Sequence, residues 1–170
     1  MTNLTFDEDH KRVNVRCAGI IRREGHVLIV REDDDDFVYL PGGRVQRGES
    51  SVEAIHREMD EELNAQIEAP QLRYIVENFF WRYEKQFHEF GFYYEVEAPK
   101  HVPFQPGEIC YRGEDDGKTL SFEWVPYTAN ALCAVNLHPL SMRTRMMALP
   151  QGFEHCTVTD ADYWEPANVG

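Results

Sequence analysis

The chain has 170 residues, of which 42% are hydrophobic and 28% charged, and a formal net charge of −13. This length and composition suit one soluble domain over 1–170, and the acidic excess excludes general binders of nucleic-acid duplex or anionic membrane, which need a basic face. No run of about 18 apolar residues and no apolar leader core occurs, so neither membrane insertion nor secretion is expected. Cys17, Cys110, Cys133 and Cys156 lack zinc-motif spacing and read as reduced, buried thiols of a cytoplasmic protein.

In chain order, residues 13–22 alternate apolar and polar side chains, REG supplies turn chemistry, and HVLIVR (26–31) follows, which predicts two strands joined tightly. The acidic run REDDDD reads as a solvated loop. FVYL (37–40) is expected to form a short strand, halted by Pro41, Gly42 and Gly43. Helical periodicity begins after Gly48, where Ser50 and Glu53 match a capping box. Val52, Ile55, Met59 and Leu63 then make an apolar stripe, and Pro70 lies beyond its end.

Segments 72–84 and 86–98 are rich in aromatic and β-branched residues and predict long strands in a hairpin. Residues 99–118 carry Pro, Gly and charge and read as a long loop; 120–126 reads as a strand. TANALCAV and PLSMRTRMMAL look helical, the second with Pro139 in its first turn. FEHCTVTD reads as a last strand, and an irregular tail is expected from about 160.

With Glu58 at zero on a helical wheel, Glu61 falls at about −60° and Glu62 at about +40°, while the apolar stripe spans roughly +60° to +140°. Three carboxylates thus border the buried stripe instead of standing opposite it. A solvated acidic face is energetically tolerable, since like charges at this spacing cost only about 0.2–0.5 kcal/mol per pair. Carboxylates along the seam between helix and body, however, are where oxygen-rich sites for Mg²⁺ or Mn²⁺ are built. Arg57, four residues before Glu61, is placed to pair with it. The stretch Gly43 to Ser50 also approaches the P-loop spacing, but Glu49 stands where the phosphate-binding lysine belongs, so that reading is rejected.

Gly43, five residues, Glu49, seven residues, then Arg57-Glu58-Met59-Asp60-Glu61-Glu62-Leu63-Asn64-Ala65 resembles the Nudix hydrolase signature, G-x5-E-x7-R-E-U-x-E-E-x-G-U with U bulky aliphatic. The spacing holds over 43–65. Asn64 replaces the late glycine and Ala65 the last aliphatic residue; Asn is the non-glycine residue best suited to a left-handed helix end. The resemblance implies an α+β Nudix fold, a three-layer α/β/α sandwich about a mixed β-sheet. It implies a pyrophosphohydrolase that cleaves the diphosphate of a small nucleoside diphosphate derivative with Mg²⁺ or Mn²⁺. Glu58 and Glu62 would hold metal, with Glu61 joining them or helping to activate water. Arg57 would orient a carboxylate, Glu49 would fix the loop, and a carbonyl of the Gly42–Gly43 pair would add a ligand. Arg44 and Arg47 are candidates for phosphate contact.

The general base stays open between Glu58, Glu89, Glu108 and Glu114. Of Phe79, Phe80, Trp81, Phe87, Phe90, Phe92, Tyr93 and Tyr94, one or two at most are expected to stack on a base, the rest being core. His88 reads as a structural histidine. A homodimer stays open. The rival to hydrolysis is a nucleotide-sensing module of the same fold, which would not need the full acidic set; no signature of the diphosphate isomerase branch is evident.

Overall fold

The computed structural model describes residues 2–161. Strand β1 (Thr5–Glu8) leads into the long β2 (Lys11–Arg23), and a turn with left-handed Glu24 and Gly25 (φ 46° and 73°) returns the chain along β3 (His26–Glu32). Short β4 (Gly42–Arg44) precedes helix α1 (Ser51–Leu63). The expected hairpin is present as β5 (Gln71–Arg82) and β6 (Lys85–Val96), followed by β7 (Ile109–Asp115) and β8 (Lys118–Pro126). Two short helices, α2 (Ala129–Ala134) and α3 (Met142–Arg145), and the anticipated last strand, β9 (Glu154–Thr159), complete the fold. Asp162 to Gly170, most of the expected tail, lies outside the described residues.

The strands form a mixed sheet in the order β7-β8-β3-β2-β6-β5-β9, with β2–β6 and β5–β9 parallel. Alternation along each strand divides the apolar side chains between two cores, as the pleat requires. Cys17, Ile21, Leu28, Val30, Phe122 and Trp124 pack under Ile55, Met59 and Leu63 of α1. Ala18, Ile20, Val27, Ile29, Tyr93 and Val125 face Leu132 and Met142 of α2 and α3. The three-layer α/β/α arrangement expected from the sequence is therefore present.

One edge of β2 pairs with β6 throughout, whereas the other is shared by β1, β4 and β3 in turn. Only Arg22 and Arg23 of β2 pair with β3. The two strands therefore diverge, and the resulting gap becomes the cleft described below.

Several expectations are corrected. FVYL forms no strand: Val38 and Tyr39 make isolated bridges to Leu137 and Val30 before Pro41 cuts the pairing short. The loop expected over 99–118 ends early, because β7 and β8 form a hairpin about Asp116 and Gly117, both left-handed (φ 47° and 76°). An Asp-Gly pair supplies those conformations cheaply, and it is the signal that discloses this hairpin. The helix expected from Pro139 shrinks to Met142–Arg145, with Ser141 at the N-cap position but making no side-chain capping bond. Around it the chain makes i→i−3 turns, such as Met142 N to Pro139 O and Ala148 N to Arg145 O. Val52 is exposed and Ala54 is buried, because the first turn of α1 has no core residue over its stripe position. All four cysteines are free, but only Cys17 and Cys110 are buried; Cys133 is exposed. Among the described residues no helix is long and apolar enough to cross a membrane.

Candidate active site

The glycine pair of β4 lets three layers meet. A Cβ on Gly42 (φ 148°) would lie 2.2 Å from the Cys17 carbonyl oxygen, and one on Gly43 would lie 2.4 Å from Oε1 of Glu58. Any larger residue would separate β4 from β2 or expel the Glu58 carboxylate. Helix α1 begins with the predicted reciprocal capping box between Ser50 and Glu53, and it ends at left-handed Asn64 (φ 49°). The residue standing in for the signature's glycine thus adopts the conformation that glycine would provide.

Arg57 organises the loop and the acidic helix. Its Nε and Nη2 donate to the two oxygens of Glu49 at 2.7 and 3.0 Å, and its Nη1 donates to Glu58 Oε1 at 2.7 Å and Glu61 Oε2 at 2.9 Å. Nη2 also donates to the Arg44 carbonyl at 3.0 Å, while Glu49 accepts from the Gln46 N–H at 2.8 Å. A planar guanidinium fixes directions that a lysine could not. The expected Arg57–Glu61 pair is present, with Glu49 and Glu58 as further partners. Arg57 holds the Glu49 carboxyl below its ordinary value.

The three candidate carboxylates differ in environment. Glu58 and Glu62 are buried, whereas the Glu61 side chain is 52% exposed. Burial raises the Glu58 carboxyl above its ordinary value against the opposing pull of Arg57. Burial raises Glu62 further, and repulsion from Glu58 adds to it. The Gly42 N–H donates to Glu62 Oε2 at 3.0 Å and offsets part of that cost. Asp115, at the end of β7, faces both carboxylates and raises them as well.

These groups line a cleft of about 880 Å³ between the diverging walls of the sheet. It brings together Gly42, Gly43, Arg44, Arg57, Glu58, Glu61 and Glu62 with Glu89 and Glu114. Glu49 stands behind Arg57, and neither Glu108 nor Arg47 lines the cleft. Of the candidate aromatics, Phe80 and Phe87 reach it. His88 faces the other side of β6, where it is hydrogen-bonded to Glu77 at 2.7 Å and stacked on Phe79, as a structural histidine would be.

Sequence reading missed Asn14, Arg16, Tyr39, Asn78 and Arg82, which also line the cleft. Arg82 lies 3.6 Å from the Phe37 ring centre and donates to the Tyr39 hydroxyl at 2.7 Å. Asn14 donates to Glu89 at 2.9 Å. Burial works against the charge of Arg16, but the fields of Glu89, Tyr93, Tyr39 and Cys17 together outweigh it and hold the guanidinium above its ordinary value. The available signal was a polar residue at every second position of β2, followed by apolar ones in the same phase: Asn14 and Arg16 before Ala18 and Ile20.

As a donor set, Glu58, Glu61 and Glu62 offer only hard carboxylate oxygens, which suit Mg²⁺ or Mn²⁺ over softer metals. Among the described residues no group of three or more His, Cys, Asp or Glu side chains is gathered so as to hold a metal ion. Mg²⁺ does not require one, because it keeps several waters and uses one or two carboxylates. Two buried carboxylates, both raised by burial and Glu62 further by repulsion from Glu58, fit such an ion beside an open cleft, because its charge would relieve that repulsion.

A sequence profile of the NUDIX domain matches residues 10–143. The search of curated proteins finds no significant match. Among solved structures, a MutT NUDIX hydrolase from Burkholderia pseudomallei aligns with a TM-score of 0.54 at 22% identity, over 72% of this chain and 95% of that one. A mutator MutT protein from Bacillus halodurans aligns with a TM-score of 0.59 at 15% identity, over 88% and 92%. A NUDIX hydrolase from Nitrosomonas europaea gives 0.51 at 24% identity, over 76% and 84%. At such identities these likenesses establish the fold, while the profile match from before β2 into α3 establishes the relationship. With the acidic signature intact on α1 and turned into the cleft, the chain belongs to the Nudix family of hydrolases, pyrophosphatases that act on phosphorus anhydrides.

Proposed function

We propose that this protein is a divalent-metal-dependent pyrophosphohydrolase that cleaves the diphosphate linkage of a nucleoside diphosphate derivative. The observation that carries the reading is the placement of Glu58 and Glu62, buried carboxylates with raised pKa values, on the wall of the cleft beside Glu61. A fold needs no such strained pair for stability; a charged diphosphate and its counterion do.

Glu58, Glu61 and Glu62 would hold Mg²⁺ or Mn²⁺. That ion would neutralise the diphosphate oxygens and acidify a water. Arg57, braced by Glu49, fixes the directions of Glu58 and Glu61, so those oxygens need no reorganisation on binding. The exposed Arg44 on the rim adds positive charge for a phosphate oxygen. Attack on phosphorus breaks the bridging P–O bond and releases two phosphate monoesters, or orthophosphate where the outer group is phosphate.

The test is a panel of nucleoside di- and triphosphates and nucleotide sugars, assayed with Mg²⁺ for monophosphate or phosphate release. Turnover that is lost in EDTA and in Glu62→Gln is expected. Full activity in Glu62→Gln would refute the role given to that carboxylate. Tight nucleotide binding without turnover on any member would establish the sensing module instead.

A further inference from the structure

Three neighbouring strands place three buried polar residues in one row across the cleft floor. Asn14 of β2 is in register with Glu89 of β6, and Glu89 with Asn78 of β5. They are 3%, 7% and 4% exposed, and all line the cleft. One step along the same face lies Arg16, and one step the other way lie Phe87 and Phe80.

The row is incompletely satisfied. Asn14 spends its amide N–H on Glu89 Oε2 at 2.9 Å, which fixes the orientation of that amide and leaves its Oδ1 without a donor. Oδ1 of Asn78 and Nε of Arg16 are likewise buried and unpartnered. Of the five such side-chain atoms among the described residues, three are here. Buried polar groups are nearly always paired, so a cluster of exceptions on a cleft floor marks where a ligand completes the pairing.

The chemistry offered narrows that ligand. Glu89 and the two Asn oxygens are acceptors, and a carboxylate oxygen that already takes one hydrogen bond keeps room for another. Arg16 alone contributes a cationic donor beside them. The complement is therefore a group with two adjacent N–H donors next to an acceptor. Among the common bases only guanine has that edge, with N1–H and the 2-amino group beside O6. Adenine presents a donor next to an acceptor, uracil places one donor between acceptors, and cytosine has one donor beside two acceptors. Phe80 and Phe87, stacked on each other at 4.7 Å and 16°, wall one side of the row with an aromatic surface of the kind on which bases pack.

From this arrangement we infer that Asn14, Glu89 and Asn78, with Arg16, form a base-reading subsite that selects guanine nucleotides. The inference rests on the hydrolase reading only in taking the cleft as a nucleotide site. Asn14, Asn78 and Glu89 are then specificity residues, and the carboxylates of α1, which line the same cleft, serve the diphosphate.

Calorimetric titration of the full chain with GMP, IMP and AMP in EDTA tests the subsite without metal or turnover. GMP is expected to bind about tenfold or more tighter than AMP, the discrimination that one well-made bidentate pair gives. IMP, which lacks the 2-amino donor, falls between them. Glu89→Gln is expected to remove the GMP preference, and Asn78→Ala to weaken it. Equal binding of GMP, IMP and AMP to the unaltered protein overturns the inference, and this comparison needs no variant to fold. It is also overturned if Glu89→Gln keeps the GMP preference but lowers kcat alike on every nucleotide, because Glu89 would then act on the reaction instead of the base. Hydrolysis without guanine preference would sink the subsite alone; guanine preference without hydrolysis would sink the enzymatic reading alone.

Discussion

Burial sets Glu62 apart from Glu61 although they are adjacent in sequence, and the difference is measurable. A carboxyl whose folded pKa lies above its unfolded value binds its proton more tightly in the folded state. Its favourable contribution is complete below the ordinary glutamate value of 4.5 and is lost as pH rises through the raised folded pKa. Without divalent ions, Glu62→Gln should therefore have a higher Tm than the unaltered protein at pH 8. The gap should close as pH falls toward 4.5, which melting curves in EDTA at several pH values will show. The same substitution should lower kcat/KM by more than the roughly 10–100-fold typical of losing an outer partner of a metal site. Arg57→Ala, which removes such a partner, should fall within that range and leave the nucleotide preference intact. Gly43 is confined just as closely by the Glu58 carboxylate. Gly43→Ala should abolish turnover with far-ultraviolet circular dichroism unchanged, because its methyl group would occupy the place of the Glu58 carboxylate.

At the scale of elements, helix α1 holds its carboxylates in register only if both ends are fixed. Ser50→Ala removes half of the capping box and should cost about 0.5–2 kcal/mol in denaturant unfolding. Asn64→Val should cost a further ~1–2 kcal/mol, because a β-branched residue opposes the left-handed conformation, whereas Asn64→Gly should be well tolerated. Both ends of this helix were legible in the sequence because capping is local chemistry: Ser50, Glu53 and Asn64 act within one turn of themselves. The Arg57–Glu61 contact was legible for the same reason. The row Asn14–Glu89–Asn78 was not, because it exists only through the parallel β2–β6 register, between residues 75 apart in sequence. Strand β7 was missed for a different reason. It is an edge strand whose outer residues are polar, so composition made it resemble a loop, and only Asp116-Gly117 marked the turn. Val52 kept the period of the stripe but lies beyond the core that the period implied.

For the whole molecule, the net charge of −13 and the site carboxylates make opposing claims on the same cation. Any salt screens the general repulsion, since the Debye length is only about 8 Å at physiological ionic strength. A divalent ion held by Glu58 and Glu62 instead stabilises by mass action, about 2.7 kcal/mol at one hundred times its Kd. For a protein of this size that corresponds to a rise in Tm of about 5–10 °C. Titration with MgCl₂ should accordingly raise Tm along a saturating curve that NaCl at matched ionic strength does not reproduce. In Glu62→Gln the saturating part should vanish and leave only the weak rise common to both salts. If NaCl gave the whole effect, the carboxylates of α1 would be a charged surface and not a binding site. Because the measurement uses no substrate, its outcome is independent of which nucleotide occupies the cleft.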